Sequence, residues 1–448
     1  MLTFKFVNLR GDLFATAFCF ALQAVIKLGS SVILTRILRP EAFGIMAILM
    51  SIVFVVEMMS DIGITVPVIR SKNGEEPHYL NTAWTLRLGR SLLNSAILFV
   101  FAPMISGLYG APTLTVPLRV FSIWFVLNGL ESMSFPVAIR RKQSRIIVYS
   151  ELISTFIATA FSLVYCHYSR DYWGMVYATL LSRLLMVVMS YQFYREIKLK
   201  LQVDWSAARE LLRYSRFAMP SGILTLILSQ FDKIAFLRLF NLHLLGIYGL
   251  AANIAAPIES LITKISQLVL YPRCAHNFRL DQDTVSLKYY TENTRLFISI
   301  LIVPAIVGGA AHLIISLLYD SRYAQAAPVL QAFMVRAALL SLASPAEELL
   351  IAAGTWHVIL VGNVVRAISL ISASLIGYHF FGFMGFTYGA ALSGLPPLIY
   401  YLWLQEQKGM LIAKYELYRL VFVFGIATSA YLTSSLVLAL WPGVRIRN

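Results

Sequence analysis

Cysteine is almost missing from this chain of 448 residues. Cys19, Cys166 and Cys274 stand far apart and form no CxxC pair, which excludes a disulfide framework. Charge is scarce as well. Asp, Glu, Lys and Arg make up 13% of the sequence, against about 25% in soluble domains. Acidic residues are the scarcer part, 22 against 37 Lys and Arg. There is no GxxxxGK(S/T) phosphate loop, so the chain has no motif for drawing directly on ATP. HExxH and GxSxG are absent, and the scattered histidines show no metal-ligand spacing. No catalytic residue, cofactor or metal site is expected. Polar stretches long enough for a water-soluble catalytic lobe are missing too.

What remains is apolar. Hydrophobic residues make up 58% of the chain and the mean hydropathy is +0.73. Apolar runs cover about 13–36, 42–64, 80–107, 114–138, 146–167, 172–195, 216–240, 244–270, 290–318, 324–352, 356–380, 383–405 and 416–441. Each has about 20 residues or more, enough to cross roughly 30 Å of hydrocarbon at about 1.5 Å per helical residue. Strands of about 4–8 residues do not account for runs of this length. The pattern predicts an all-α integral membrane protein with about twelve or thirteen transmembrane helices.

The formal charge of +15 does not point to nucleic acid, because the basic residues sit in short loops between the runs. They concentrate in the N-terminus and in loops 65–79, 139–145, 196–215, 271–289 and 406–415. The opposite set of loops is short and poor in Lys and Arg. The first set is therefore expected in the cytoplasm, beside anionic lipid, with the N-terminus on that side.

The polar loop 196–215 divides the first twelve runs into two sets of six with the same orientation, a parallel repeat. Arg36 and Arg238, Gly44 and Gly246, Ile45 and Ile247, and Glu57 and Glu259 match at one ungapped offset. The expected organisation is a six-helix lobe over 1–200, a second over 201–410, and an extra segment over 411–448.

Ionisable groups inside a bilayer cost a few kcal/mol, on the order of 3 on insertion scales, and usually face a protein interior or a watery cavity. Lys27, Arg87, Arg90, Arg183, Lys233, Arg336 and Arg366 fall within the runs. They are candidates for a cationic cavity between the two halves, suited to an anionic headgroup such as a diphosphate. Snorkelling at helix ends and internal ion pairs are the bland alternative. Glu57, Asp232 and Glu259 are candidates for binding a coupling proton or sodium ion; as structural partners of nearby cations they would do nothing of the kind. Alanine at Arg336 or Arg366 is expected to impair handling of such a headgroup without lowering protein level. Pro257, Pro304 and Pro396-Pro397 should bend the runs that hold them. Gly385, Gly389 and Gly394 read as close-packing positions.

Three stretches carry a family resemblance. The first is Leu34-Thr35-Arg36-Ile37-Leu38-Arg39-Pro40-Glu41-Ala42-Phe43-Gly44, followed by Ser60-Asp61-Ile62-Gly63-Ile64 and Val68-Ile69-Arg70. The second is Leu211-Leu212-Arg213-Tyr214-Ser215 with Asp232-Lys233 and Leu245-Gly246-Ile247-Tyr248. The third runs from Tyr323 through Ala326-Ala327-Pro328 to Leu330. In order and spacing the chain resembles the Wzx-like oligosaccharide flippases, the polysaccharide transporter family of the MOP superfamily, nearest its colanic-acid-exporter branch. The resemblance spans about residues 1–405. It implies two six-helix lobes around a cleft in the bacterial inner membrane. It also implies passage of undecaprenyl-diphosphate-linked oligosaccharide to the outer leaflet, for exopolysaccharide, capsule or O-antigen. A polysaccharide polymerase and a chain-length regulator are the implied protein partners. The alternatives are a multidrug/cation antiporter or lipid II flippase of the same superfamily, and, from another class, a membrane glycosyltransferase or polymerase. Relatives usually have twelve or fourteen spans, so a lone thirteenth departs from the pattern.

Overall fold

The structure is a computed structural model that describes residues 9–440, except 62, 72, 142, 144, 195, 196, 198, 213–227, 233, 234, 236–238, 281–284 and 356. Among these residues every regular element is a helix. Most of the expected seventh run, 216–240, lies outside the described residues, as does Lys233. The chain divides into two compact units, Met1–Leu226 and Ile227–Asn448.

In the first unit α1 (Leu9–Ile37), α2 (Pro40–Ser60), α3 (Thr65–Arg70) and α4 (Pro77–Leu108) come first. Pro40 and Pro77 open α2 and α4 where a missing N–H costs no helical bond. Between α2 and α3 lie Asp61 and Gly63. Gly63 has φ +63°, and its N–H donates to Asp61 Oδ1 at 2.9 Å, a geometry a Cβ would strain. The expected straight run over 114–138 is instead broken into a 3₁₀ turn, α5 (Thr115–Phe121), α6 (Ile123–Leu130) and α7 (Ser134–Arg140). Pro117 and Pro136 sit in the first turns of α5 and α7 and account for the breaks before those two helices. The helices α8 (Arg145–Ser169) and α9 (Trp173–Gln192) pack as a hairpin, and α1 lies on α8. A short helix over 205–212, α10, follows.

The loops after α3, α7 and α9 meet at one end of this unit. Arg140 donates to the carbonyls of Val68, Ile69 and Ser71 at 3.1, 3.0 and 2.5 Å, closing the C-terminus of α3. Arg141 reaches Glu75 at 2.7 Å. That bond, with the charges of Arg141 and Arg140, holds the Glu75 carboxyl below the usual carboxylate range.

The second unit contains α11 (Leu242–Ile265), α12 (Tyr271–Leu280), α13 (Val285–Glu292), α14 (Thr294–Gly309), α15 (Ala311–Leu318), α16 (Ala326–Ala352), α17 (His357–Leu392), α18 (Leu395–Gln407) and α19 (Ala413–Leu440). Asn241 caps α11, its Oδ1 accepting from the Leu244 N–H at 2.9 Å. Pro257 and Pro304 lie inside α11 and α14 as expected. Pro396 and Pro397 do not: they begin α18, where they start a helix rather than bend one. The helix α16 is the most buried and packs against α11, α14, α17 and α18. The helix α19 packs on α14 and α15, so the segment beyond the repeat belongs to this unit. Its Arg419, 8% exposed, is bonded to Glu416 at 2.8 Å and lies over the rings of Phe297, Tyr290 and Tyr289.

The helix α17 is two arms folded at Gly382, which has φ +57°. The arms touch backbone to backbone, because a Cβ on Gly385 would overlap the Gly377 carbonyl and one on Gly389 the Ala373 carbonyl. Gly394 has ordinary room beside Leu339. Gly385→Val should therefore cost about 3 kcal/mol, read in detergent as a fall of roughly 6–10 °C in the thermal midpoint. Gly394→Ala should leave the midpoint in place.

Eight helices among the described residues are long and apolar enough to cross a membrane, or up to nine if α13 and α14, bent by 52°, count as one span. One of the eight, His357–Gln407, runs over 51 residues and holds the fold at Gly382. The chain is a multi-pass helical membrane protein.

Candidate functional site

Each unit carries buried charge inside its helices. In the first, α4 supplies Arg87 and Arg90, one turn apart, and every group they meet comes from another helix or its end. Arg90 Nη2 pairs with Glu57 Oε1 of α2 at 2.5 Å, and its Nη1 reaches Asp61 Oδ1 and the Ser60 carbonyl at 3.3 Å each. Arg87 Nη2 pairs with Glu131 Oε1, just past α6, at 2.9 Å. Glu131 Oε2 takes Arg183 Nη2 of α9 at 2.6 Å. Asn128 is the hub. Its Oδ1 accepts from Arg87 at 3.3 Å and from Arg183, while its Nδ2 donates to Glu57 Oε1 at 3.2 Å. The Trp124 ring covers the Arg183 guanidinium at 5.4 Å. Three arginines thus face three carboxylates, and Glu57 Oε2, Arg90 Nε and Arg183 Nε are buried with no hydrogen-bond partner among the described residues.

In the second unit Arg336 of α16 grips Glu259 of α11 with two bonds, Nε to Oε1 at 2.8 Å and Nη2 to Oε2 at 3.1 Å. Such a fork-on-carboxylate pair fixes orientation as well as charge. Arg336 Nη1 lies 3.8 Å from Asp232 Oδ2, which also accepts from Tyr248 Oη at 2.6 Å. The Phe333 ring stacks under the guanidinium at 4.5 Å. Arg366, on the first arm of α17, is half-buried and has no ion pair among the described residues; its electrostatic neighbours are Arg336, Glu259, Tyr401 and Glu347.

The candidates named from sequence therefore fall into two clusters, one per unit. Arg87, Arg90 and Glu57 join Arg183 in the first, and Arg336, Glu259 and Asp232 form the second with Arg366 nearby. Lys27 stands apart, exposed on α1. Lys233 lies outside the described residues. Sequence reasoning placed no site role on Asn128, Glu131, Trp124, Tyr248 or Phe333. The signal was faint but present: Asn128 and Glu131 stand three residues apart at the end of an apolar run, where neither has a reason to face lipid. The matching glutamates also take partners from different helices. Glu57 meets an arginine of the next long helix, α4, whereas Glu259 meets one of α16, beyond the α14–α15 pair.

Comparisons with known proteins agree on the architecture. The lipopolysaccharide biosynthesis protein WzxC of Escherichia coli (strain K12) is 22% identical over 402 residues, covering 86% of this chain and 79% of that protein. The succinoglycan biosynthesis transport protein ExoT of Rhizobium meliloti (strain 1021) is 23% identical over 348 residues, covering 77% and 69%. Among solved structures, the lipid II flippase MurJ in an inward closed conformation is similar with TM-score 0.71 at 14% identity, over 96% of this chain and 99% of that one. An inward-facing multidrug resistance MATE transporter of the MOP superfamily gives TM-score 0.62 at 14% identity, over 87% and 95%. At these identities the structures speak to the fold alone. Residues 33–328, more than half of the chain, match the family described as "Polysaccharide biosynthesis protein", and the chain is a member of that family.

Proposed function

We propose that this protein is a flippase. It carries undecaprenyl-diphosphate-linked oligosaccharide units from the inner to the outer leaflet of the bacterial inner membrane for surface polysaccharide assembly. It is a transporter and not an enzyme. The reading rests on family membership together with relatives whose names join polysaccharide biosynthesis to transport. The one structural observation that carries it is Arg366, a guanidinium held within a membrane helix with no ion pair among the described residues. A half-buried cation of this kind has its donors left for a diphosphate oxygen. Arg87, Arg90, Arg183 and Arg336, already bonded to carboxylates, would exchange one acceptor for another as the headgroup passes. Glu57, Asp232 and Glu259 are the acceptors released by that exchange, which makes them the candidates for ion coupling. Alternating access, with the two units as the moving bodies, the N-terminus in the cytoplasm, and a polymerase and chain-length regulator downstream complete the proposal.

Arg366→Ala tests it. No ion pair among the described residues is broken, so the amount of folded protein should stay at the wild-type level. Export should fall by about tenfold, the effect of losing one charge-assisted contact of about 1.4 kcal/mol or more. The readout is the fraction of lipid-linked oligosaccharide reaching the outer leaflet of vesicles reconstituted with the purified protein. Undiminished transport by Arg366→Ala would remove the headgroup role.

A further inference from the structure

After α9 the chain runs through an extended segment, 199–204, before it enters α10. Every second residue of that segment is tied to α4. The N–H groups of Lys200, Gln202 and Asp204 donate to Asn81 Oδ1 at 2.9 Å, Thr85 Oγ1 at 3.2 Å and Thr82 Oγ1 at 2.9 Å. Leu199 packs against the core of the unit, whereas Leu201 is 71% exposed and Val203 42%.

The helix α10 repeats the division at helical spacing. Ala207 and Leu211 pack into a core with Ile64, Val68, Tyr79, Leu80, Ala83, Met133 and Val137. Trp205, Arg209 and Leu212, four and three residues apart, share the opposite face. Trp205 is 81% exposed and Leu212 45%. Leu201, Val203, Trp205 and Leu212 thus stand on the outside of a single strip, and an exposed run of this size marks an interaction surface.

The occupant follows from where the strip is fastened. Its three anchors lie in the first turns of α4, a helix apolar enough to cross the membrane, so the strip lies at the level where that helix leaves the bilayer. Tryptophan concentrates at that level. A short helix with an aromatic and an aliphatic residue flanking a cation on one face has the pattern of helices that lie in the interface. Lys200 and Arg209 are the cations of the strip, balanced over its length by Asp204 and Glu210, and each can meet an anionic headgroup locally. Beside the strip is a cavity of about 600 Å³ lined by Glu75, His78, Arg141, Lys200 and Gln202 among others.

We infer that residues 199–212 form a lipid-surface anchor: Leu201, Val203, Trp205 and Leu212 enter the boundary between headgroups and acyl chains, and Lys200 and Arg209 contact anionic phospholipid. The anchor lies on the stretch of chain that leads from one unit to the other. It is independent of the cargo, and its test does not measure transport.

The full-length protein carrying Trp205→Cys, labelled with an environment-sensitive fluorophore, is placed in nanodiscs of phosphatidylcholine alone or mixed with phosphatidylglycerol. The natural cysteines Cys19, Cys166 and Cys274 are buried, and labelled wild type gives the background. Leu201→Cys serves as a second labelling position should the first variant fail to fold. The expected result is blue-shifted emission, quenched more strongly by lipids bearing a nitroxide near the headgroup than by lipids bearing one deep in the chain. Lys200→Glu with Arg209→Glu should reduce the phosphatidylglycerol-dependent part of the quenching by more than about fivefold. Water-like emission at both positions would overturn the anchor. So would blue-shifted emission that neither lipid quenches, because that signal means a protein surface covers the strip.

Discussion

Arg336→Ala should empty the membrane of most of the folded protein, and adding Glu259→Gln to Arg336→Met should bring it back without restoring export. The reason is the geometry of the pair. Glu259 takes two bonds from the Arg336 fork, and the aromatic face of Phe333 closes one side. Removing the arginine leaves the Glu259 carboxylate between α11 and α16 without its two-bond partner, and Asp232 loses the Arg336 charge as well. Breaking such a pair from one side costs on the order of 3 kcal/mol, whereas replacing both partners by well-packed neutral groups is often neutral. Membrane level by immunoblot and thermal denaturation in detergent give the first quantity, and outer-leaflet oligosaccharide gives the second. Protein level at wild type for Arg336→Ala would show that the pair contributes little to the fold. Recovery of export in the double variant would show that neither charge touches the cargo. The sequence alone suggested that Arg336→Ala would spare protein level; the bidentate partner, invisible in the sequence, reverses that half of the expectation.

Much of the architecture was legible because bilayer thickness imposes its own period on the chain. The bounds of α2, α8, α9, α11 and α16 follow the apolar runs within a few residues. Where the runs misled, proline was the cause. Pro117 and Pro136 stand in the first turns of α5 and α7 within one expected run, and Pro396-Pro397 open α18 instead of bending a helix. The close approach at Gly385 and Gly389 was readable from residue size, and the sharp fold at Gly382 falls in the gap between the runs 356–380 and 383–405. Charges inside the runs were equally plain. Their pairing was not, because it joins residues as far apart in the chain as Glu259 and Arg336, across helices whose rotation the sequence leaves open. The surface strip at 199–212 was hidden for a different reason. Its course is set by three N–H groups tied to α4, and those ties are long-range.

Glu131→Ala should be the most damaging single change in the first unit. Glu131 is 7% exposed and is the carboxylate of two arginines at once, Arg87 through Oε1 and Arg183 through Oε2. Its loss leaves two guanidinium groups within α4 and α9, sharing the carbonyl oxygen of Asn128. An unpaired arginine in a membrane helix costs about 2.5–3.5 kcal/mol on insertion scales, and here two are exposed to that cost together. Asp61→Asn provides the contrast. Asp61 is the more exposed carboxylate of Arg90, which keeps Glu57 at 2.5 Å, so its change should stay within about 1 kcal/mol. Glu131→Ala should thus yield little monodisperse protein on size exclusion, Glu131→Gln an intermediate amount, and Asp61→Asn a wild-type amount. A triple change, Glu131→Leu with Arg87→Met and Arg183→Met, should recover the yield while leaving transport lost, since it removes the charge imbalance and the guanidinium donors together. Equal stability of Glu131→Ala and Asp61→Asn would mean that water reaches the cluster freely, and the arginines of α4 and α9 would then be solvated rather than paired.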